Sequence, residues 1–135
     1  MGDRVVAMPL FGCGTCEYCE SGDYIHCYES LKTHEATMAQ YIVKPTFILQ
    51  KIPDDVSYER ASLACCGLGP SFGAFQQMDL NTFDTVLITG LGPVGLGAIV
   101  NARYRGARVI AVESNPFRTT LANNLKSGSE VFKPA

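Results

Sequence analysis

The stretch Asp84 to Gly95 constrains this chain most. Asp84-Thr85-Val86-Leu87-Ile88-Thr89-Gly90 reads as a short apolar strand that ends in glycine. It runs through Leu91-Gly92 into Pro93, and the segment from Pro93 to Tyr104 has helical character, with Leu96, Ile99, Val100 and Tyr104 on one face. A strand that gives way to a helix over so short a turn belongs to a crossover between parallel strands. The continuation agrees. Arg108 to Val112 is a second buried strand, Asn115 and Pro116 supply an N-cap and a first-turn proline, and Phe117, Leu121 and Leu125 line one face of a second helix. Glu130-Val131-Phe132 begins a third strand. Strand–helix–strand–helix–strand over about fifty residues is a βαβαβ unit.

Gly90-Leu91-Gly92-Pro93-Val94-Gly95 also matches G-x-G-x-x-G, and its place between strand and helix gives that pattern a mechanism. The first glycine permits the tight turn, the second lets a pyrophosphate approach the backbone, and the third lets the helix pack closely. The helix N-terminus offers unpaired N–H groups to phosphate. Glu113 closes the second strand, 18 residues after Gly95, where an acid binds the ribose hydroxyls of a dinucleotide. A carboxylate there repels a 2′-phosphate, so NAD is favoured over NADP. Arg118, five residues on, is within reach of the ribose or a phosphate. The plainer alternative makes Glu113 a solvated strand end and Arg118 part of a helix face.

The front of the chain is organised differently. Cys13, Cys16, Cys19 and Cys27 fall within fifteen residues at spacings C-x2-C-x2-C-x7-C. Four thiolates satisfy tetrahedral zinc and leave no open position, which describes a structural site. An iron–sulfur cluster is the competitor, but the ferredoxin run places its fourth cysteine after three residues and before proline. Here the gap is seven and Tyr28 follows. Disulfides are the remaining alternative. His26, beside Cys27, is not needed as a ligand.

Around this loop, Asp3 to Pro9 is a strand candidate, and Gln40 to Lys51 reads as two short strands divided by Pro45. Ser57 is a plausible N-cap for a helix from Tyr58 to Cys66. Gly67-Leu68-Gly69-Pro70 interrupts it, and a second helical piece runs from Ser71 to Met78. Net charge is −2 without a basic block, which argues against nucleic acid as a partner. No secretory signal leads the chain, and the glycine-rich run from Val86 to Val100 is too interrupted to span a membrane. A reducing, cytoplasmic setting follows, where clustered cysteines bind metal more often than they pair.

Taken together, Gly2-Asp3-Arg4-Val5-Val6, the cysteine loop, Met38-Ala39-Gln40-Tyr41, Lys51 to Ser57, Cys66-Gly67, Gly73-Ala74 and the glycine turn resemble the zinc-containing alcohol dehydrogenases of the medium-chain dehydrogenase/reductase superfamily. The likeness covers almost the whole chain. It implies an α/β protein: a partial GroES-like, β-rich catalytic domain (residues 1–79) followed by the first βαβαβ half of a Rossmann domain (80–135). It implies structural zinc on the four cysteines, and Cys66, not Cys65, as a ligand of the catalytic zinc. On composition alone each is a small buried side chain. The implied reaction is hydride transfer between an alcohol or carbonyl compound and NAD(P), with zinc as Lewis acid. The family is commonly dimeric or tetrameric, which implies a homo-oligomer for the full-length enzyme. Phe72 is at best a candidate wall of the substrate pocket.

The family's catalytic zinc also takes a cysteine and a His-Glu pair from before the structural loop, and neither His26 nor His34 matches them. A second βαβαβ half, which would hold the nicotinamide, does not follow Phe132. The chain is therefore expected to be a fragment, inactive alone, with an exposed parallel sheet edge and one apolar sheet face. A catalytically inactive zinc- and nucleotide-binding remnant is the alternative. A small iron–sulfur protein and a zinc-free quinone reductase of the same superfamily are less favoured.

Overall fold

The structure is a computed structural model that describes residues 2–29, 38–125 and 128–134. The chain packs as two units, Met1–Ala61 and Ser62–Ala135.

In the first unit, β1 (Val5–Ala7) pairs antiparallel with β2 (Leu49–Lys51), Val5 opposite Lys51 and Ala7 opposite Leu49. Two further bonds lengthen the ladder, Met8 N to Ile48 O at 3.0 Å and Ile52 N to Arg4 O at 2.9 Å. The Arg4 guanidinium donates to the carbonyls of Asp54 and Val56 and lies over the Tyr58 ring, 4.7 Å from its centroid. It thereby fixes the turn before α2 (Tyr58–Ala61). Between these elements lie α1 (Glu17–Glu20) and the single 3₁₀ turns Tyr24–His26 and Thr46–Ile48. Of the two strands expected between Gln40 and Lys51, only Leu49–Lys51 forms. Residues 41–45 have strand composition but join no strand ladder among the described residues, and Tyr41 and Val43 are almost fully exposed. β-propensity needs a neighbouring strand to express it.

The helix expected over Tyr58–Cys66 also differs. It stops at Ala61, and residues Ala64–Leu68 form a π-turn that leads directly into α3 (Gly69–Gln77). Gly67-Leu68-Gly69-Pro70 thus widens the helical path rather than interrupting it.

The second unit contains β3 (Thr85–Thr89), α4 (Pro93–Tyr104), β4 (Arg108–Val112), α5 (Pro116–Asn124) and β5 (Glu130–Phe132). The strands form one parallel sheet in the order β3-β4-β5, with Thr85 opposite Arg108 and Ile110 opposite Glu130. Val86, Ile88, Val109 and Ala111 point to one face and join Ala98, Ile99 and Ala102 of α4 and Ala122 of α5 in a single core. On the other face Leu87 and Phe132 are exposed, 64% and 51%.

Of the face expected on α4, Ile99 is fully buried and Leu96 packs against the core, but the rest of that face and the whole of the one expected on α5 lie outside. On α4, Val100 and Tyr104 are exposed while Gly97, Ala98, Ile99, Asn101 and Ala102 are buried. On α5, Phe117, Leu121 and Leu125 are exposed and Ala122 is buried. Small residues let these helices sit close to their neighbours, and the bulkier apolar side chains are left outside. Among the described residues no helix is long and apolar enough to cross a membrane.

Candidate metal and dinucleotide sites

The loop after β1 has few apolar side chains, and its geometry is set by turns. Gly14 takes a left-handed conformation (φ 80°) after Cys13, and α1 then carries Cys19 inward. The turn Tyr24–His26 returns Cys27 to the same place. The four sulfurs of Cys13, Cys16, Cys19 and Cys27 lie within 4.8 Å of one another. Four sulfurs around a zinc ion at about 2.3 Å would stand about 3.8 Å apart, so this set needs only a small contraction. Gly12 makes the convergence possible: a Cβ there would overlap the sulfur of Cys19 and meet that of Cys27 at 2.8 Å. Its role is invisible in sequence, because it arises only once the sulfurs meet.

Backbone N–H groups point at the sulfurs. Cys13 N donates to Cys27 Sγ at 3.3 Å, Glu29 N to Cys27 Sγ at 3.4 Å, and Thr15 N and Oγ1 to Cys13 Sγ at 3.5 and 3.4 Å. Such donors favour thiolate over thiol. Mainly through the Thr15 hydroxyl, the Cys13 pKa is pulled down to about 6, whereas burial pushes Cys19 up to about 12. Four converging sulfurs form a donor set that suits a thiophilic cation such as zinc. All six cysteines are among the described residues, and none is in a disulfide. On the outer side of the loop, Tyr28 Oη donates to Glu17 at 2.9 Å and packs edge-on against Tyr18, while His26 Nδ1 meets Asp23 at 2.8 Å. His26 is thus engaged away from the sulfurs.

In the second unit, the residues singled out around the glycine turn come together. Gly90 has φ 82°, Gly92 caps α4 in extended conformation, and Pro93 opens the helix. A Cβ on Gly95 would overlap the carbonyl oxygen of Gly90, so the helix start and strand end are in direct backbone contact. An open hollow of about 430 Å³ lies over the turn, lined by Thr89, Gly90, Gly92, Pro93, Val94 and Gly95 with Ile88 and Ala98 beneath.

Glu113 is 5% exposed and holds this turn from the side. Its Oε2 accepts from Leu91 N at 2.6 Å and its Oε1 from Asn115 N at 2.8 Å, with Arg118 Nη1 3.7 Å from Oε2. The backbone N–H groups of Asn115 and Leu91, with a smaller contribution from Arg118, hold its pKa below the usual carboxylate value. It is therefore an anion fixed beside the turn rather than a solvated strand end. Each carboxylate oxygen retains acceptor capacity for a further donor such as a ribose hydroxyl.

Cys66 lies on the π-turn, exposed, next to the half-buried Cys65, whose thiol is pushed up by burial. The four-cysteine set is the only group of three or more potential ligands among the described residues, and Cys66 is not in it. Phe72, six residues on, is half-exposed under the Arg105 guanidinium, 5.7 Å from its centroid. His34 lies outside the described residues.

Residues 1–54 match the alcohol dehydrogenase GroES-like domain. An uncharacterised zinc-type alcohol dehydrogenase-like protein of Escherichia coli (strain K12) is 35% identical over 92% of this chain and 37% of its own length. A probable D-xylulose reductase A of Aspergillus terreus is 31% identical over the whole chain and 39% of its own length. Among solved structures, the alcohol dehydrogenase of Thermus sp. ATN1 superposes with a TM-score of 0.85 at 31% identity, covering 98% of this chain and 41% of that one. The chain thus spans about two fifths of the proteins it matches. Over that span it is a member of the zinc-containing alcohol dehydrogenase family of the medium-chain dehydrogenase/reductase superfamily.

Proposed function

We propose that this chain is part of a longer zinc-dependent oxidoreductase that transfers a hydride between an alcohol or carbonyl compound and NAD. Residues 1–79 supply the structural zinc loop and part of the catalytic domain, and residues 80–135 supply the adenosine half of the dinucleotide site. The observation that carries this reading is the convergence of the Cys13, Cys16, Cys19 and Cys27 sulfurs, in a chain that also carries the Glu113-braced glycine turn.

In the first unit, zinc bound by the four thiolates would cross-link β1's loop to the turn Tyr24–His26. In the second, the N–H groups at the start of α4 would receive the pyrophosphate in the hollow over Gly90–Gly95. Glu113 would orient the ribose, and its negative charge disfavours a 2′-phosphate. Arg118 would balance that charge. Cys66, by resemblance, would contribute one thiolate to a catalytic zinc, which supplies Lewis acidity to the alcohol oxygen when bound. The remaining ligands of that zinc would come from sequence outside this chain.

A second reading, a zinc- and nucleotide-binding module without turnover, is favoured by the absence of partner ligands around Cys66 among the described residues. Metal analysis, calorimetric titration with NAD and NADP, and an alcohol oxidation assay on the isolated chain separate the cases. About one zinc per chain, NAD bound more tightly than NADP, and no turnover are expected. Iron with acid-labile sulfide would overturn the zinc assignment, and robust turnover by the 135-residue chain would overturn its being part of an enzyme. If joining the chain to the missing segments of a homologous dehydrogenase restores turnover, and Cys66→Ser abolishes it, the non-catalytic reading fails.

A further inference from the structure

The turn that carries Cys66 is wider than an α-helix: Leu68 N donates to Leu63 O, five residues back, at 2.9 Å. Pro70 gives a reason. In a regular helix its ring would press on the carbonyl four residues earlier, that of Cys66, and it has no N–H to offer. Widening the turn relieves this contact. Gly69 accommodates the result, since a Cβ there would stand 2.9 Å from the carbonyl oxygen of Ala64.

A π-turn is less favourable than the α-helix it replaces and persists where surrounding structure determines it. Here the surrounding structure is α4. Asn101 Nδ2 donates to Leu68 O at 2.8 Å and to Ser71 Oγ at 2.7 Å, and Ser71 Oγ donates to Leu68 O at 3.1 Å. Asn101 and Ser71 are both buried. One turn earlier on α4, Gly97 lies so close to the π-turn that a Cβ would overlap the carbonyl oxygen of Gly67. Asn101 is buried on the same helix that supplies Ala98, Ile99 and Ala102 to the core. An amide there is costly unless both its N–H groups are used, and both are used on the segment that follows Cys66.

We propose that Asn101 is a positioning residue for Cys66: by holding Leu68 O it keeps the turn in its π form, and so determines that Cys66 rather than Cys65 faces outward. Successive helical residues are turned by about 100°. A change from π to α register would therefore rotate the two cysteines against α3 and alter which one is presented. The consequence for a metal at Cys66 rests on the function proposed above. The choice between the two thiols does not.

The test is competitive alkylation of the zinc-loaded 135-residue chain with iodoacetamide, resolving Cys65 and Cys66 by fragment mass spectrometry. Cys66 is expected to react about tenfold faster in the parent chain. Asn101→Leu, of similar volume but without donors, is expected to bring the ratio to within about twofold of one, with far-ultraviolet circular dichroism preserved. Ser71→Ala is expected to keep the parent ratio, because the Asn101–Leu68 bond survives. An unchanged ratio in Asn101→Leu would overturn the proposal. So would a ratio that collapses equally in Ser71→Ala, since general loosening would then suffice. Should Asn101→Leu not fold, Asn101→Thr, whose hydroxyl is too short to span the gap, is read against the same outcomes. The ratio involves no metal at Cys66, no NAD and no turnover. A failure here leaves the dehydrogenase assignment standing, and failure of that assignment leaves the ratio intact.

Discussion

The two units of this chain solve the same problem with different physics. In the second unit, twelve buried residues from the sheet, α3, α4, α5 and the segments that connect them form one continuous core. In the first, the buried apolar residues among those described are Cys19, Cys27, Ile48, Ile52 and Ala61, and two of these five are thiols of the cysteine cluster. A segment with so little apolar surface to bury cannot offset the entropy of ordering its chain. The second unit therefore has a hydrophobic reason to fold, whereas the loop from Cys13 to Cys27 needs a ligand. Metal-free and metal-bound chains should differ in the first unit alone.

The largest expected effect tests that contrast directly. Zinc removal by a chelator, or Cys19→Ser, should strip hydrogen-exchange protection from the amides of residues 13–27 while the second unit keeps its own unfolding transition. Structural zinc contributes about 10–16 kcal/mol in small metal-folded domains, so the loss should be complete rather than partial. Retained protection of the loop without metal would break the comparison.

Next in size are the close backbone approaches of the second unit. Gly95→Ala and Gly97→Ala place a methyl group on the carbonyl oxygens of Gly90 and Gly67. Neither obstacle is a side chain that can rotate aside. Overpacking of this kind costs about 1–3 kcal/mol or more, and both variants belong at the upper end. Chemical denaturation should show the loss in the second unit, with zinc content unchanged. Gly95→Ala should also weaken NAD binding, because it displaces the turn itself.

The glycine turn shows what local pattern can reveal. Strand, turn and helix alternate there with glycine, proline and asparagine marking each end, and the bounds of α4 and β4 agree with the sequence reading to the residue. The cysteine cluster was equally legible, because ligand spacing is itself local. Long-range requirements were not. Pro70 marks a disturbance of the helix, but the side chain that holds the wide turn, Asn101, lies 33 residues from Leu68. On α4 the apolar period finds Leu96 and Ile99 but also takes in the exposed Val100 and Tyr104, because periodicity weighs bulk, while contact with a carbonyl selects for the lack of a side chain at Gly97. Gly12 likewise matters for the side chain it lacks, beside the Cys19 and Cys27 sulfurs. Residues 41–45 have strand composition, but no partner among the described residues turns it into a strand.

Glu113 gives a pH-dependent version of the contrast. Its pKa in the folded chain lies below its ordinary value of 4.5, because the folded state supplies N–H donors to its ionised form. The contribution is therefore fully present above that ordinary value and is lost as pH falls through the lower, folded value. The second unit's thermal midpoint should drop over this acidic range, and Glu113→Gln should flatten the drop. Glu113→Gln should also loosen Leu91 and weaken NAD binding at neutral pH. An unchanged acid profile in Glu113→Gln would mean that the Leu91 and Asn115 bonds do not distinguish the charged form.

The smallest effect compares one device in both units. Asn115 caps α5: its Oδ1 accepts from Phe117 N at 2.9 Å and Arg118 N at 3.3 Å. Ser57 does the same for α2, accepting from Arg60 N at 3.3 Å. Loss of an N-cap costs about 1 kcal/mol where the helix it serves is part of the cooperative core. α5 is nine residues long and anchored through Ala122, so Asn115→Ala should lower the second unit's unfolding free energy by about that amount. α2 is a single turn of four residues, in a unit whose stability is assigned to the metal. Ser57→Ala should therefore change the first unit's stability by less than about half as much. Equal losses at both caps, measured by denaturation of the zinc-loaded chain, would show that the first unit also draws on ordinary helix energetics, and the division between a metal-held and a core-held unit would have to be softened accordingly.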